Sequence, residues 1–273
     1  MRSLRTLFDF YLDASVHVGL AVTALVFVSS LLLNIPVEKA LLGFSFFSTI
    51  VCYNFIKYGV EAKKYLIVSK TYHRKIQVFS FLSFVPAVFF ASQLRQEVLV
   101  SIATLSILSG LYAIPFLPKT KNLRNLAGFK IYVVALVWAG FTVLLPVVQN
   151  QTPFSWDIGV MLLQRFLLVI VLMLPFEIRD METDYKELWT IPQLIGIRRT
   201  MVLGVVLTLL FVLLTFFKDI LAEKELVSRV LLGVVLIPML LASKKKSKYF
   251  TSFWIEAVPI FWAISIVVLR ELC

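Results

Sequence analysis

The sequence predicts an all-α integral membrane protein with nine transmembrane helices. Three observations carry that expectation. The chain is 60% hydrophobic with a mean hydropathy of +0.90, above the roughly half-apolar composition of soluble domains. Apolar segments of about twenty residues recur along it, the length needed to cross the hydrocarbon core. Cations gather in alternate loops between those segments. No polar stretch is long enough for a separate soluble unit, so residues 1–273 are expected to form one polytopic membrane domain.

The N-terminal stretch MRSLRTLFDFYLDASVH has no compact apolar region followed by a small-residue cleavage site. It reads as an interfacial helix leading into the first span rather than a signal peptide. The spans are expected at about 15–34, 38–58, 76–94, 97–116, 128–148, 157–178, 197–217, 226–243 and 251–270. Helix is required in each, because lipid offers a backbone amide no hydrogen-bond partner.

With nine spans, twenty of the 27 Lys and Arg residues fall on the side of the N-terminus and six on the other. Arg165, the remaining one, falls deep within a span, where a charge faces the bundle or snorkels outward. The bias places the N-terminus in the cytoplasm and the C-terminus on the opposite side of a cytoplasmic (inner) membrane. It also accounts for the formal charge of +11 without nucleic acid as a partner. Two cysteines, Cys52 and Cys273, build no disulfide framework. His73 lies in a basic loop with no zinc-ligand spacing around it. The paired broken helices and inverted repeat of a secondary transporter are not apparent.

The most informative stretch is PFEIRDMETDYKELWTIPQLIG, from Pro175 to Gly196. Glu177, Asp180 and Asp184 are spaced i, i+3, i+7, within a narrow arc of one helical face. Carboxylates so placed suit Mg²⁺ shared with a diphosphate. They equally suit a solvated helix end on which Arg179 and Lys186 pair with the acids.

This stretch resembles the second aspartate-rich motif of the UbiA superfamily of intramembrane prenyltransferases, roughly D-x-x-D-x-x-x-D followed by Thr-x-Pro and Gly. Glu177, Asp180 and Asp184, then Thr190, Pro192 and Gly196, occupy those positions. The resemblance extends over the whole chain, since the family has nine helices and cytoplasmic aspartate motifs after helices 2 and 6. It implies a UbiA-like bundle and Mg²⁺-dependent transfer of an isoprenyl chain from its diphosphate to a lipophilic, often aromatic, acceptor. The family's first motif, roughly N-D-x-x-D-x-x-x-D, corresponds here to YNFIKYGVEAKKY. Asn54 is in place, but Phe55, Tyr58 and Ala62 stand at the acidic positions.

Two readings of that departure follow. In one, Lys57 supplies a positive charge to the diphosphate in place of one ion, and Asn54, Asp180 and Asp184 hold a single Mg²⁺ with Glu177. In the other, catalysis is lost and the bundle is a scaffold for lipid or a membrane-protein partner. Lys57 also suits simple snorkelling to headgroups. The resemblance further implies diphosphate contacts from the basic segment after the fourth span, with Tyr112, Lys119, Arg124 and Lys130, and from Arg179. The i, i+4 pair Asp13 and His17 is expected either to face the substrate, with Asp13 orienting the ring, or to be an interfacial pair. Glu256, an acid in the ninth span, is expected to partner a cation.

Overall fold

The computed structural model describes residues 2–58, 71–113, 130–181, 189–243 and 249–271. Among them all regular structure is helical. In chain order the helices are α1 (Arg2–Asp13), α2 (Val16–Leu32), α3 (Lys39–Tyr58), α4 (Thr71–Ala91), α5 (Gln96–Ala113) and α6 (Lys130–Ala139). A π turn at Gly140–Leu144 joins α6 to α7 (Leu145–Gln149). Then come α8 (Trp156–Asp180), α9 (Ile191–Ile195), α10 (Ile197–Leu213) and α11 (Glu223–Ala242), and a π turn at Phe250–Ile255 leads into α12 (Glu256–Glu271).

Each expected apolar segment falls on a helix, but the spans are less uniform than expected. Among the described residues 7 helices are long and apolar enough to cross a membrane, or 8 if α1 and α2 count together across their 53° bend. The remaining expected segment is α5, whose apolar part, Gln96–Gly110, is shorter. The bend has a local cause. Ser15 adopts φ 60°, a left-handed conformation that a non-glycine residue holds only when its surroundings over-determine it.

Helix α8 is the centre of the bundle, with 72% of its most apolar window buried. At 1.5 Å per residue its 25 residues extend about 37 Å. Ser155 caps its start by accepting the Ile158 amide at 3.4 Å. Leu168, Val171 and Leu174 of α8 pack with Leu25 of α2, Ala135 of α6, Phe211 of α10, Leu236 of α11 and Trp262 of α12. On the other flank α3 and α4 approach closely at Gly43, where a Cβ would stand 2.6 Å from the Phe90 ring. Small residues permit such approach in membrane bundles, where dispersion contacts rather than water exclusion drive association.

A buried polar layer crosses the half of the bundle that holds the start of α8. Arg165 turns inward. It donates to the Leu25 carbonyl at 3.0 Å, to Thr142 Oγ1 at 3.2 Å and to Ser29 Oγ at 3.0 Å, and its guanidinium lies 5.3 Å from the Trp262 ring centroid. Beside it Gln164 donates to the Phe211 carbonyl and Thr215, and accepts from Arg229 at 3.0 Å. Glu225 pairs with both Arg229 and Lys218. Lys218 and Arg229, counted by the charge bias with the cations facing the far side, are thus buried parts of the bundle.

Arg165→Ala removes three hydrogen bonds and strands their acceptors. It should cost about 2–4 kcal/mol, read as a lower unfolding midpoint in detergent. Arg165→Lys should recover only part, because an ammonium cannot reproduce the guanidinium fork. An unchanged midpoint for Arg165→Ala would remove the layer's structural role.

Candidate active site

At the opposite end of the bundle, the C-terminal ends of α3, α5 and α8 meet the N-terminal ends of α2, α6 and α12. They enclose a cavity of about 260 Å³. Its walls are mainly apolar and aromatic, including Val18, Ala21, Val134, Met173, Phe176 and Pro259. Glu177, Asp180, Lys130 and Glu256 supply its charged groups. The helical spacing read from the sequence therefore brings two of its three acids to one space.

Glu177 is 2% exposed. One carboxylate oxygen accepts the Ile191 amide at 3.3 Å, satisfying a free N–H at the start of α9. The same short helix is closed by Gln193, whose side chain accepts the Thr190 amide at 3.0 Å. Gly196, at φ 80°, then turns the chain into α10 with a geometry that glycine adopts freely. Thr190, Pro192 and Gly196 thus belong to the local structure that holds Glu177 against the cavity.

Asp180 pairs through both oxygens with Arg179, at 2.6 and 2.8 Å. Arg179 also donates to Thr251 Oγ1 at 2.5 Å and to Ser252 at 3.4 Å, and lies 5.2 Å from the Phe176 ring centroid. Its fork joins α8 to the π turn before α12. Asp184, Lys119 and Arg124 lie outside the described residues, as does the Tyr112 side chain.

Asn54 and Lys57 lie against the turn that joins α1 to α2. Asn54 is 3% exposed. Its oxygen accepts from Ser15 Oγ at 2.8 Å, and its nitrogen donates to the Ala14 carbonyl at 3.0 Å and to Ser80 at 2.9 Å. Lys57 donates to Ser15 Oγ at 3.1 Å. Together they hold the left-handed turn between α1 and α2 against α3 and α4. Neither lines the cavity.

The expected Asp13–His17 pair does not form, because the helix breaks at Ser15 between them. The His17 ring bonds to Tyr11 at 2.6 Å and to the Phe253 carbonyl at 2.9 Å, while Asp13 accepts from Tyr72 at 3.1 Å. His17 is buried and does not line the cavity. Glu256 makes neither a hydrogen bond nor an ion pair within 4 Å among the described residues, although it lies within electrostatic reach of Lys57 and Arg179.

A second apolar space, of about 430 Å³, lies on the far side of Tyr53 and Trp138. Both spaces share those residues with Cys52, Ile56, Ser109 and Val137. The Trp138 indole N–H donates to the Tyr53 hydroxyl at 2.8 Å and closes the boundary. No signal in the sequence paired these two residues, which are 85 positions apart and meet through their side chains.

The Asn54 arrangement is testable by stability. Asn54→Leu removes three buried hydrogen bonds between helices and should cost about 2–3 kcal/mol, with a lower unfolding midpoint in metal-free buffer. A midpoint equal to that of the parent would show that the amide does not hold this turn.

No family model and no curated protein sequence matches the chain. Two solved structures do resemble it. A UbiA homolog from Aeropyrum pernix K1 superposes with a TM-score of 0.66 at 17% identity, over 93% of this chain and 98% of that one. A digeranylgeranylglyceryl phosphate synthase superposes with a TM-score of 0.57 at 14% identity, over 98% of each chain. At these identities the likeness is one of backbone architecture, and by it this chain has the UbiA-like fold over nearly its entire length.

Proposed function

We propose that this protein is an intramembrane prenyltransferase that moves an isoprenyl chain from its diphosphate to a lipophilic acceptor. One observation carries this reading: an apolar, aromatic-walled cavity has two carboxylates, Glu177 and Asp180, in its charged lining. Lys130 shares that lining, and Arg179 bonds to Asp180. A diphosphate on a greasy tail has the same division between a charged head and an apolar body.

The donor set suits Mg²⁺ in one particular form. Mg²⁺ commonly uses one or two carboxylates and completes its shell with substrate phosphates and water. Among the described residues no three His, Cys, Asp or Glu side chains form a protein-only cage. Glu177 and Asp180 are the groups that would hold the ion; Asp184, four residues on in the sequence, lies outside the described residues. When bound, Mg²⁺ neutralises charge developing on the leaving diphosphate.

The chain's own residues do the rest. Lys130 and Arg179 add positive potential at the diphosphate, with Lys57 behind the first turn of α2. Cleavage of the allylic C–O bond leaves its electron pair on diphosphate; the acceptor then bonds to the allylic carbon through the atom that loses its proton, which leaves to the diphosphate or to water. Phe176, Tyr53 and Trp138 offer aromatic surface to positive charge on that carbon, and the apolar walls keep water from it. The second space beyond Tyr53 and Trp138 gives the tail room. The rival reading, a scaffold without catalysis, draws on Asn54 being committed to the α1–α2 turn.

Binding of farnesyl thiodiphosphate separates the two. Asp180→Asn should weaken it about tenfold to a hundredfold in the presence of Mg²⁺, and Asp184→Ala should do the same. Lys57→Met should weaken it to a smaller extent and increase its dependence on Mg²⁺. If the parent protein shows no saturable binding, the scaffold reading replaces the enzyme.

We also propose that the cavity faces the cytoplasm, from the cation bias of the loops at that end. Reporter tags at the N-terminus and between residues 244 and 248 should then read cytoplasmic, and a tag at the C-terminus should read from the opposite side. A cytoplasmic C-terminus would overturn the orientation.

A further inference from the structure

A separate cavity lies at the end of the bundle away from the candidate active site. It measures about 540 Å³ and is enclosed by the last residues of α2, the first turn of α11 and the end of α12. Glu223, Lys224 and Arg270 line it, with the buried Glu225 beside them. Arg270 ties α12 to α2 through one terminal nitrogen, which donates to the Leu31 carbonyl and to Asn34 Oδ1. Its other N–H groups, and the side chains of Glu223 and Lys224, have no hydrogen bond or ion pair among the described residues. Glu225 is already engaged by Lys218 and Arg229. The cavity therefore offers two cations and one carboxylate, on two different helices.

The rest of its wall is apolar, with Leu32, Ile266 and Leu269. Three helix ends meet here, at the level where spans give way to lipid headgroups. Val227, Val230 and Val267, on the neighbouring turns of α11 and α12, are exposed and continue the apolar surface toward the hydrocarbon.

Several ligands can be compared against this lining. A divalent cation meets two positive side chains and one uncommitted carboxylate, and no three metal-ligating side chains group there among the described residues. An anionic headgroup satisfies Lys224 and Arg270 but sets its charge against Glu223. A zwitterion with a phosphate and a primary ammonium answers both signs. The ammonium gives a carboxylate charge-assisted N–H bonds, which a trimethylammonium cannot.

We propose that this cavity is a lipid site for a phosphoethanolamine headgroup. Lys224 and Arg270 hold the phosphate, Glu223 accepts from the ammonium, and the apolar wall receives the glycerol end of the lipid. The occupant is a membrane lipid rather than a free phosphoester, because only a lipid uses the apolar side of the cavity. The site is independent of prenyl transfer and stands whether or not the bundle is an enzyme.

The test is native mass spectrometry of the full chain, delipidated in detergent and titrated with dioleoyl phosphatidylethanolamine, phosphatidylglycerol or phosphatidylcholine. The parent protein should take up the first of a set of lipids as phosphatidylethanolamine, roughly tenfold more tightly than either of the others, the scale of one charge-assisted bond. Glu223→Gln should abolish that preference. Lys224→Gln should weaken all three lipids. Both positions are exposed in the first turn of α11, so neither variant threatens the fold. Soluble O-phosphoethanolamine should compete far more weakly than the lipid.

The inference is overturned if the parent protein binds phosphatidylglycerol or phosphatidylcholine as tightly, or if no lipid is retained. It is overturned equally if Glu223→Gln keeps the full preference. Competition by O-phosphoethanolamine at the same concentration as the lipid would overturn the assignment to a lipid.

Discussion

The interior of this bundle cannot hydrate a polar group, and that constraint orders the rest of the structure. Lipid surrounds the helices and apolar side chains fill their centre, so every polar side chain must be answered by another or face a cavity. The chain meets the requirement by collecting its polar groups at two levels. Near one end, Arg165 bonds to Leu25, Ser29 and Thr142, and Gln164, Arg229, Glu225 and Lys218 form a connected chain beside it. Near the other, Glu177, Asp180, Lys130 and Glu256 line an open space, with Arg179 bonded to Asp180. The first level is structural. The second opens on a largely apolar cavity.

Helix α8 connects the levels. Its first half carries Gln164 and Arg165, and its last turn carries Glu177 and Asp180. A contiguous apolar face, Leu168 to Leu174, separates them and is fixed by five neighbouring helices. The position of the carboxylates is therefore set by packing about 5–18 Å away along a helix, at 1.5 Å per residue. Anchoring a charged helix end through an inflexible apolar segment keeps the site in place without covalent or metal support.

Much of the architecture was legible because hydropathy and charge bias act at the scale of whole helices. The segment ending at Asp180 could be found, and its acids placed on one face, from spacing alone. Residue pairs that depend on backbone direction could not. Asp13 and His17 have the spacing of helical neighbours, but Ser15 leaves the helix between them, and nothing in an i, i+4 pattern marks that break. Asn54 was visible as a polar residue near a helix end, yet the three groups that engage it come from the α1–α2 turn and α4, distant in sequence. Glu256 was conspicuous as an acid in an apolar segment. Its place beside Glu177 and Asp180 required knowing how α12 packs on α2. Lys218 and Arg229 were counted among the far-side cations, and a count of loop cations cannot see that both pair with Glu225 inside the protein.

The bond between Trp138 and Tyr53 stands where the two apolar spaces adjoin. A single neutral hydrogen bond is worth about 1 kcal/mol. The division of the apolar volume into a part of about 260 Å³ and a part of about 430 Å³ thus runs through one weak contact between side chains 85 residues apart in the sequence.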